Sequence, residues 1–187
     1  MACPYCHNPQ LVYADLFEPL MNEIEVFAFL KKRQGFLKGI VITGGEPTVQ
    51  RDLKDFIINV KALGYAVKLD TNGTNPEVIK DLIKERLVDF IAMDIKSPLQ
   101  KYNLFYKGNS EYIKHSVSII KESGIAHLFR TTNDTDILDK HDLKIIKEWV
   151  FPSEHIVQQC NHDKRMEKMT RQDRPLHDNG AGELLRR

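Results

Sequence analysis

Two cysteines stand three positions apart in Cys3-Pro4-Tyr5-Cys6-His7, and Gly44-Gly45-Glu46-Pro47 follows the apolar run Ile40-Val41-Ile42. A Cys-x-x-Cys pair brings two thiolates within reach of one iron or zinc ion. A Gly-Gly-acid-Pro turn after a strand presents bare backbone to a ligand, because no side chain blocks the approach. Together the two motifs point to a metal cofactor beside a small-molecule pocket. Read singly, Gly44-Gly45 is an ordinary tight turn. The cysteine pair also leaves two other chemistries open. Cys-Pro-Tyr-Cys is the pattern of a thiol-disulfide active site, although that motif needs a preceding strand and only two residues come first here. Cys-x-x-Cys-His is also the pattern of c-type haem attachment, which requires export.

The elements that must position these residues alternate. Residues 22–33 carry Ile24, Phe27 and Ala28 at helical spacing, with Asn22 and Glu25 as a capping pair. Residues 39–43 read as a buried strand. Leu53, Phe56, Ile57, Val60 and Leu63 form one apolar helical face that Gly64 ends, and residues 65–70 are a strand. Asn75-Pro76 opens a helix to Glu85, and residues 88–95 are a strand. A looser segment holds Pro98, Tyr102, Phe105 and Gly108. Ser110 caps a helix with Ile113, Val117 and Ile120, followed by a strand at 126–132. Asp139 starts a helix to Val150, and 155–159 is the last strand.

Alternation at this pitch predicts an α/β fold with a parallel sheet of five strands and right-handed crossovers. Ligands of such folds bind at the carboxyl ends of the strands, where loops vary without disturbing the core. Gly44 to Pro47, Asp70-Thr71-Asn72-Gly73, Asp94-Ile95-Lys96 and Arg130-Thr131-Thr132 are therefore expected on one rim. Taken singly, Asp70 and Asp94 are also good turn or cap residues, Lys96 is an ordinary solvated lysine, and Arg130 reads as an ion-pair member. His7, His127 and His155 carry no assigned role.

The chain's 187 residues suffice for one domain with a real core, and 42% hydrophobic with 28% charged residues argues against wholesale disorder. Lysine and arginine total 27 against 26 acids, so the net charge of +1 offers no general attraction to nucleic acid or an anionic membrane. No apolar run approaches the roughly 18 residues of a spanning helix, and no signal peptide is visible, so a cytoplasmic location is expected. Three cysteines cannot build a secreted-type disulfide framework. Cys160 reads as a small buried hydrophobe. Residues 161–187 are highly charged, without an apolar period, and read as a mobile tail beyond a core at 1–160.

Taken in order, Cys-Pro-Tyr-Cys-His-Asn-Pro, Val-Ile-Thr-Gly-Gly-Glu-Pro-Thr, Lys-Leu-Asp-Thr-Asn-Gly and Ala-Met-Asp-Ile-Lys make the chain resemble the radical S-adenosylmethionine enzymes over residues 3–159. Within them it is most similar to glycyl-radical activating enzymes, and among those to the activating proteins of anaerobic ribonucleoside-triphosphate reductases. The resemblance implies a partial parallel (β/α) barrel and a 4Fe-4S cluster whose open iron chelates S-adenosylmethionine. It also implies a glycyl-radical enzyme as macromolecular partner and a protein electron donor. Pyruvate formate-lyase-type partners stay open.

By the same resemblance, Cys3 and Cys6 are the catalytic cluster ligands, and Tyr5 lies near the adenine. The Gly44, Gly45, Glu46 and Pro47 turn meets the methionine ammonium, while Asp70, Asn72, Asp94, Lys96 and Arg130 line the pocket. The family's Cys-x3-Cys-x2-Cys would put its first cysteine four positions before Cys3, where this sequence has no residue. The chain is therefore expected to be N-terminally truncated, without its first strand. A non-catalytic fragment of this fold that binds zinc or a partner is the alternative, and Cys160 is a conceivable replacement ligand.

Overall fold

A computed structural model describes residues 11, 14–17 and 19–160. Cys3, Tyr5, Cys6 and the expected tail at 161–187 lie outside them. Five helices alternate with five strands: α1 (Glu23–Arg33), β1 (Gly39–Ile42), α2 (Leu53–Ala62), β2 (Ala66–Thr71), α3 (Pro76–Lys84), β3 (Phe90–Asp94), α4 (Glu111–Glu122), β4 (Ala126–Asn133), α5 (Lys140–Val150) and β5 (His155–Gln159). The strands lie in the order β1-β2-β3-β4-β5, and all four pairings are parallel. Each crossover steps one strand in the same direction, and crossovers of one hand then carry every helix to the same face. The result is the open, all-parallel five-stranded sheet that the alternation predicts, consistent with the partial (β/α) barrel that the resemblance implies. Among the described residues no helix is long and apolar enough to cross a membrane.

Burial follows the two-residue period clearly in β2 and β4, while in β3 Ala92 is buried as well. Val67, Leu69 and Thr71 of β2, Ile91 and Met93 of β3, and Phe129 and Thr131 of β4 face the helices and are buried. The helices meet them with stripes at helical spacing: Leu53, Ile57 and Val60 on α2, Ile79 and Leu82 on α3, Ile113, Val117 and Ile120 on α4, and Ile146 and Val150 on α5. The opposite, bare face carries Val41, Lys68, Asp70, Phe90, Ala92, Asp94, Leu128 and Arg130, as the register dictates.

Local details differ from the sequence expectation at three helix starts. Asn22 caps α1, with its Oδ1 accepting from Ile24 N at 2.9 Å, but the face that packs is Val26, Phe27 and Leu30, leaving Ile24 76% exposed. The partner chooses the stripe: Phe27 sits 5.3 Å from the Phe56 ring on α2. At α4 Ser110 occupies the N-cap position but makes no side-chain cap; instead Asn109, just before it, accepts from Glu111 N through its Oδ1 at 3.0 Å. Asn75 makes none at α3 because its amide turns to Thr48 Oγ1, 2.9 Å away. Asp139 and Asp142 form the full capping box of α5.

The turn after β2 is locked from the helix layer. Gly73 has φ +76°, its N–H donates to Thr71 Oγ1 at 3.1 Å, and its carbonyl accepts from the buried Ser116 Oγ of α4 at 2.7 Å. A Cβ at this position would lie 2.0 Å from Met93 Cε. Gly73→Ala combines left-handed strain of about 1–2 kcal/mol with overpacking of about 1–3 kcal/mol, so a loss near 3 kcal/mol is expected in urea unfolding. A loss below about 1 kcal/mol would show that the turn yields.

Candidate functional site

The carboxyl ends of β1 to β4 form one rim. β1 ends in the Gly44-Gly45 turn, which is solvent-exposed, and Gly44 has φ +152° with nothing within 4 Å of where a Cβ would stand. That backbone is open to a ligand. Pro47, buried, begins the single helical turn Pro47–Val49, and Glu46 is its cap, accepting from Thr48 N at 3.2 Å and from the Thr48 hydroxyl. The same carboxylate crosses to β2, accepting from Thr71 Oγ1 at 2.8 Å and from Asn72 N at 2.7 Å. Asn72 is nearly buried, and its own Oδ1 accepts from Thr74 N at 3.0 Å, a turn-forming role.

Beside this tie lies a charged ladder on the bare face. Arg130 Nε donates to Asp94 Oδ1 at 2.8 Å, and its Nη1 donates to Asp70 Oδ2 at 3.0 Å. Asp70 and Arg130 are on β2 and β4, so the guanidinium spans β3, whose inward residue in register with Asp70 is Ala92. A small residue there leaves room for the bridge. Lys96 Nζ holds Asp94 Oδ2 at 3.0 Å, and Lys68 Nζ stands 2.8 Å from Asp70 Oδ1, an ion-pair contact without hydrogen-bond alignment. Three cations thus face two carboxylates. Burial opposes ionisation of Asp94, but the charges of Lys96 and Arg130 and their hydrogen bonds outweigh it, holding its carboxyl below the ordinary value.

The rim therefore gathers Gly44, Gly45, Glu46, Pro47, Asp70, Asn72, Asp94, Lys96 and Arg130 where the alternation places them. It also gives roles to residues to which the sequence reading assigned none. Thr71 alternates with Asp70 and so faces the helices, a buried hydroxyl that needs a partner. Tyr102, fully buried from the segment after β3, accepts from Lys96 N at 3.1 Å and fixes the Asp94-Ile95-Lys96 loop. Lys68, two residues before Asp70, was readable only from strand period. Cys160 is 8% exposed and packs with Phe105 and Ile137 beyond β5, at the opposite end of the strand order from the glycine turn. His127 bonds Ile125 O and Ser153 Oγ, and His155 bonds Thr131 Oγ1. Both act within the scaffold. Among the described residues no three or more His, Cys, Asp or Glu side chains gather as a metal site.

The sequence profile of the Radical SAM superfamily matches residues 1–149. A Methanocaldococcus jannaschii protein to which the role of glycyl-radical enzyme activating enzyme is ascribed is 37% identical over 164 residues, covering 80% of this chain and 64% of the relative. A 7-carboxy-7-deazaguanine synthase of Thermococcus kodakarensis is 36% identical over 107 residues, 57% of this chain and 42% of the relative. The chain thus spans less than two thirds of the length of these relatives. Among solved structures, a domain of pyruvate-formate lyase-activating enzyme from Bacteroides vulgatus superposes with a TM-score of 0.58 at 21% identity, over 67% of this chain and 82% of that one. Streptococcus suis SuiB, bound to precursor peptide SuiA, gives 0.67 at 14% identity, over 90% and 39% respectively. At these identities the likeness is one of fold.

The ladder sets an acid-sensitive expectation. Arg130→Met leaves two partly buried carboxylates with weaker partners and should cost about 2 kcal/mol at pH 7, below the value for a fully buried pair because the site is partly wet. Asp94, depressed in the native state, contributes stability present above its unfolded value near 3.9 and lost as pH falls through its folded value. In the variant its carboxyl titrates higher than in the native protein, so the deficit should shrink as pH falls below about 4, through the depressed folded value of native Asp94, in urea unfolding. A deficit that stays constant with pH would remove the ion pair as its cause.

Proposed function

Because this chain belongs to the Radical SAM superfamily, we propose that it is the S-adenosylmethionine-binding core of an activating enzyme that installs a glycyl radical on an anaerobic ribonucleoside-triphosphate reductase. The observation that carries the reading is the single rim on which an exposed diglycine backbone adjoins a ladder of three cations and two carboxylates. Membership of the superfamily implies a 4Fe-4S cluster and S-adenosylmethionine. The donor set fits the second of these: open main-chain carbonyls suit its ammonium, and the surplus positive charge suits its carboxylate.

In this reading Gly44 and Gly45 receive the ammonium, while Glu46 and Pro47 shape their turn. Asp70, Asn72, Asp94, Lys96 and Arg130 line the methionine and ribose side, and Tyr5 lies near the adenine. Cys3 and Cys6 hold the cluster, for which soft thiolates are the right donors. When bound, the cluster supplies the electron that splits the sulfonium; the protein orients the two groups and shields them. The M. jannaschii relative supports the activating role, and the motifs quoted above favour the ribonucleotide reductase as target over pyruvate formate-lyase. A cytoplasmic setting and a separate protein electron donor complete the proposal.

Anaerobically reconstituted protein given dithionite and S-adenosylmethionine should release 5′-deoxyadenosine and methionine. With the reductase present, a glycyl radical should appear by electron paramagnetic resonance. Iron and sulfide near four per chain are expected with a full cluster. A chain carrying one zinc and no sulfide, and releasing no 5′-deoxyadenosine, would instead be a binding module.

A further inference from the structure

We infer that Gln158 of β5, assisted by Thr132 of β4, is a specificity-determining residue that binds the main chain of the partner's glycine segment. The inference deepens the proposed activating role by naming a substrate contact on the same rim, and it rests on that reading.

The polar side chains of β4 and β5 are committed within the protein, with two exceptions. Arg130 takes Asp70 and Asp94, His127 bonds Ser153, Thr131 Oγ1 lies 2.9 Å from His155 Nε2, and Asn133 Nδ2 donates to Gln159 Oε1 at 3.2 Å. Thr132 and Gln158 differ: among the described residues neither side chain holds a hydrogen bond or an ion pair.

The two stand together. Thr132 pairs in register with Gln158, and Arg130 with Ile156, two positions earlier on both strands. Register partners in a parallel sheet point to one face from strands about 5 Å apart. That face is the bare one, since Thr131 and Asn133, which flank Thr132, are buried toward the helices. Gln158 is exposed and Thr132 partly so. A neutral hydroxyl and a neutral carboxamide therefore continue the charged ladder beyond Arg130, toward the edge of the sheet furthest from the glycine turn.

Chemistry selects the ligand. Glycine has no side chain, so the residue itself can be held only by its main-chain N–H and C=O. A carboxamide offers both a donor and an acceptor, as a peptide group does, and a hydroxyl serves as either. The cations and carboxylates of the ladder answer one another and, in the proposed site, the zwitterionic cofactor. The uncharged pair beside them suits an uncharged ligand, and a peptide main chain is one.

The test compares the two substrates of one reaction in reconstituted protein, with the glycyl radical read by electron paramagnetic resonance. Gln158→Leu keeps the size and removes both hydrogen-bonding functions. Its KM for the reductase should rise about tenfold, the loss expected for two neutral hydrogen bonds, while its KM for S-adenosylmethionine stays within about twofold of wild type. Thr132→Val should raise the reductase KM about threefold, and Thr132→Ser, which keeps the hydroxyl, should restore it. Matching urea midpoints establish that the variants are folded.

An unchanged reductase KM in Q158L would make the pair a solvated surface and overturn the inference. A KM for S-adenosylmethionine that rises as steeply as that for the reductase would overturn it too, because the pair would then hold the cofactor. Wild-type protein that releases 5′-deoxyadenosine but leaves the reductase without a radical defeats the target assignment instead, and the same comparison with pyruvate formate-lyase then decides the role of the pair. Wild-type protein that releases no 5′-deoxyadenosine defeats the proposed function itself, and the inference with it.

Discussion

A parallel sheet clothed by helices on one face must give its other face something to hold besides apolar core, and in this chain that something is charge. Asp70 and Asp94 point away from the helices on adjacent strands, where two carboxylates without partners would repel each other and lose solvation. Arg130 answers both from β4, reaching across β3 at Ala92. Strands two apart in a sheet are separated by about 9–10 Å, which only a long planar cation spans with two directed bonds. Lys68 and Lys96 then close the outer oxygens, and the face gains a surplus of one positive charge.

The rim above it is built by a different device. There the strands have run out, and loops must be held without backbone pairing. Glu46 links the glycine turn to the end of β2, Ser116 holds the carbonyl of Gly73, and Tyr102 holds the amide of Lys96. Each is a single polar side chain acting on main chain, with Ser116 and Tyr102 fully buried and Glu46 half-buried. Such bonds are strong where they are dry and costly to leave unmade, so the loops gain defined positions without a sheet. The exposed backbone of Gly44-Gly45 is the part left unclaimed, and it borders the charged ladder. Under the proposed function, the two together would suit a zwitterionic cofactor.

Much of this was legible from residue order. Strand and helix positions followed from period, and parallel crossovers place every strand's carboxyl end on the same side. The polar clusters at residues 44–47, 70–73, 94–96 and 130–132 therefore had to share a rim. What period could not reveal was the assignment of partners. Asn109 takes the cap expected of Ser110, since a capping oxygen depends on the path of the chain entering the helix. On α1 the ring of Phe56 selects Val26, Phe27 and Leu30 over Ile24, because several stripes on a short apolar helix are equally greasy.

The amino-acid sequence alone determined the architecture and the end of the sheet where chemistry gathers, since both depend on short-range pattern and on the handedness of L-residues. Tertiary structure alone decided that Arg130 serves Asp70 from sixty positions away, and that Glu46 serves Thr71 and Asn72. Those pairings depend on strand register and on which face each side chain takes, and register is a property of two strands together. No single stretch of chain contains it.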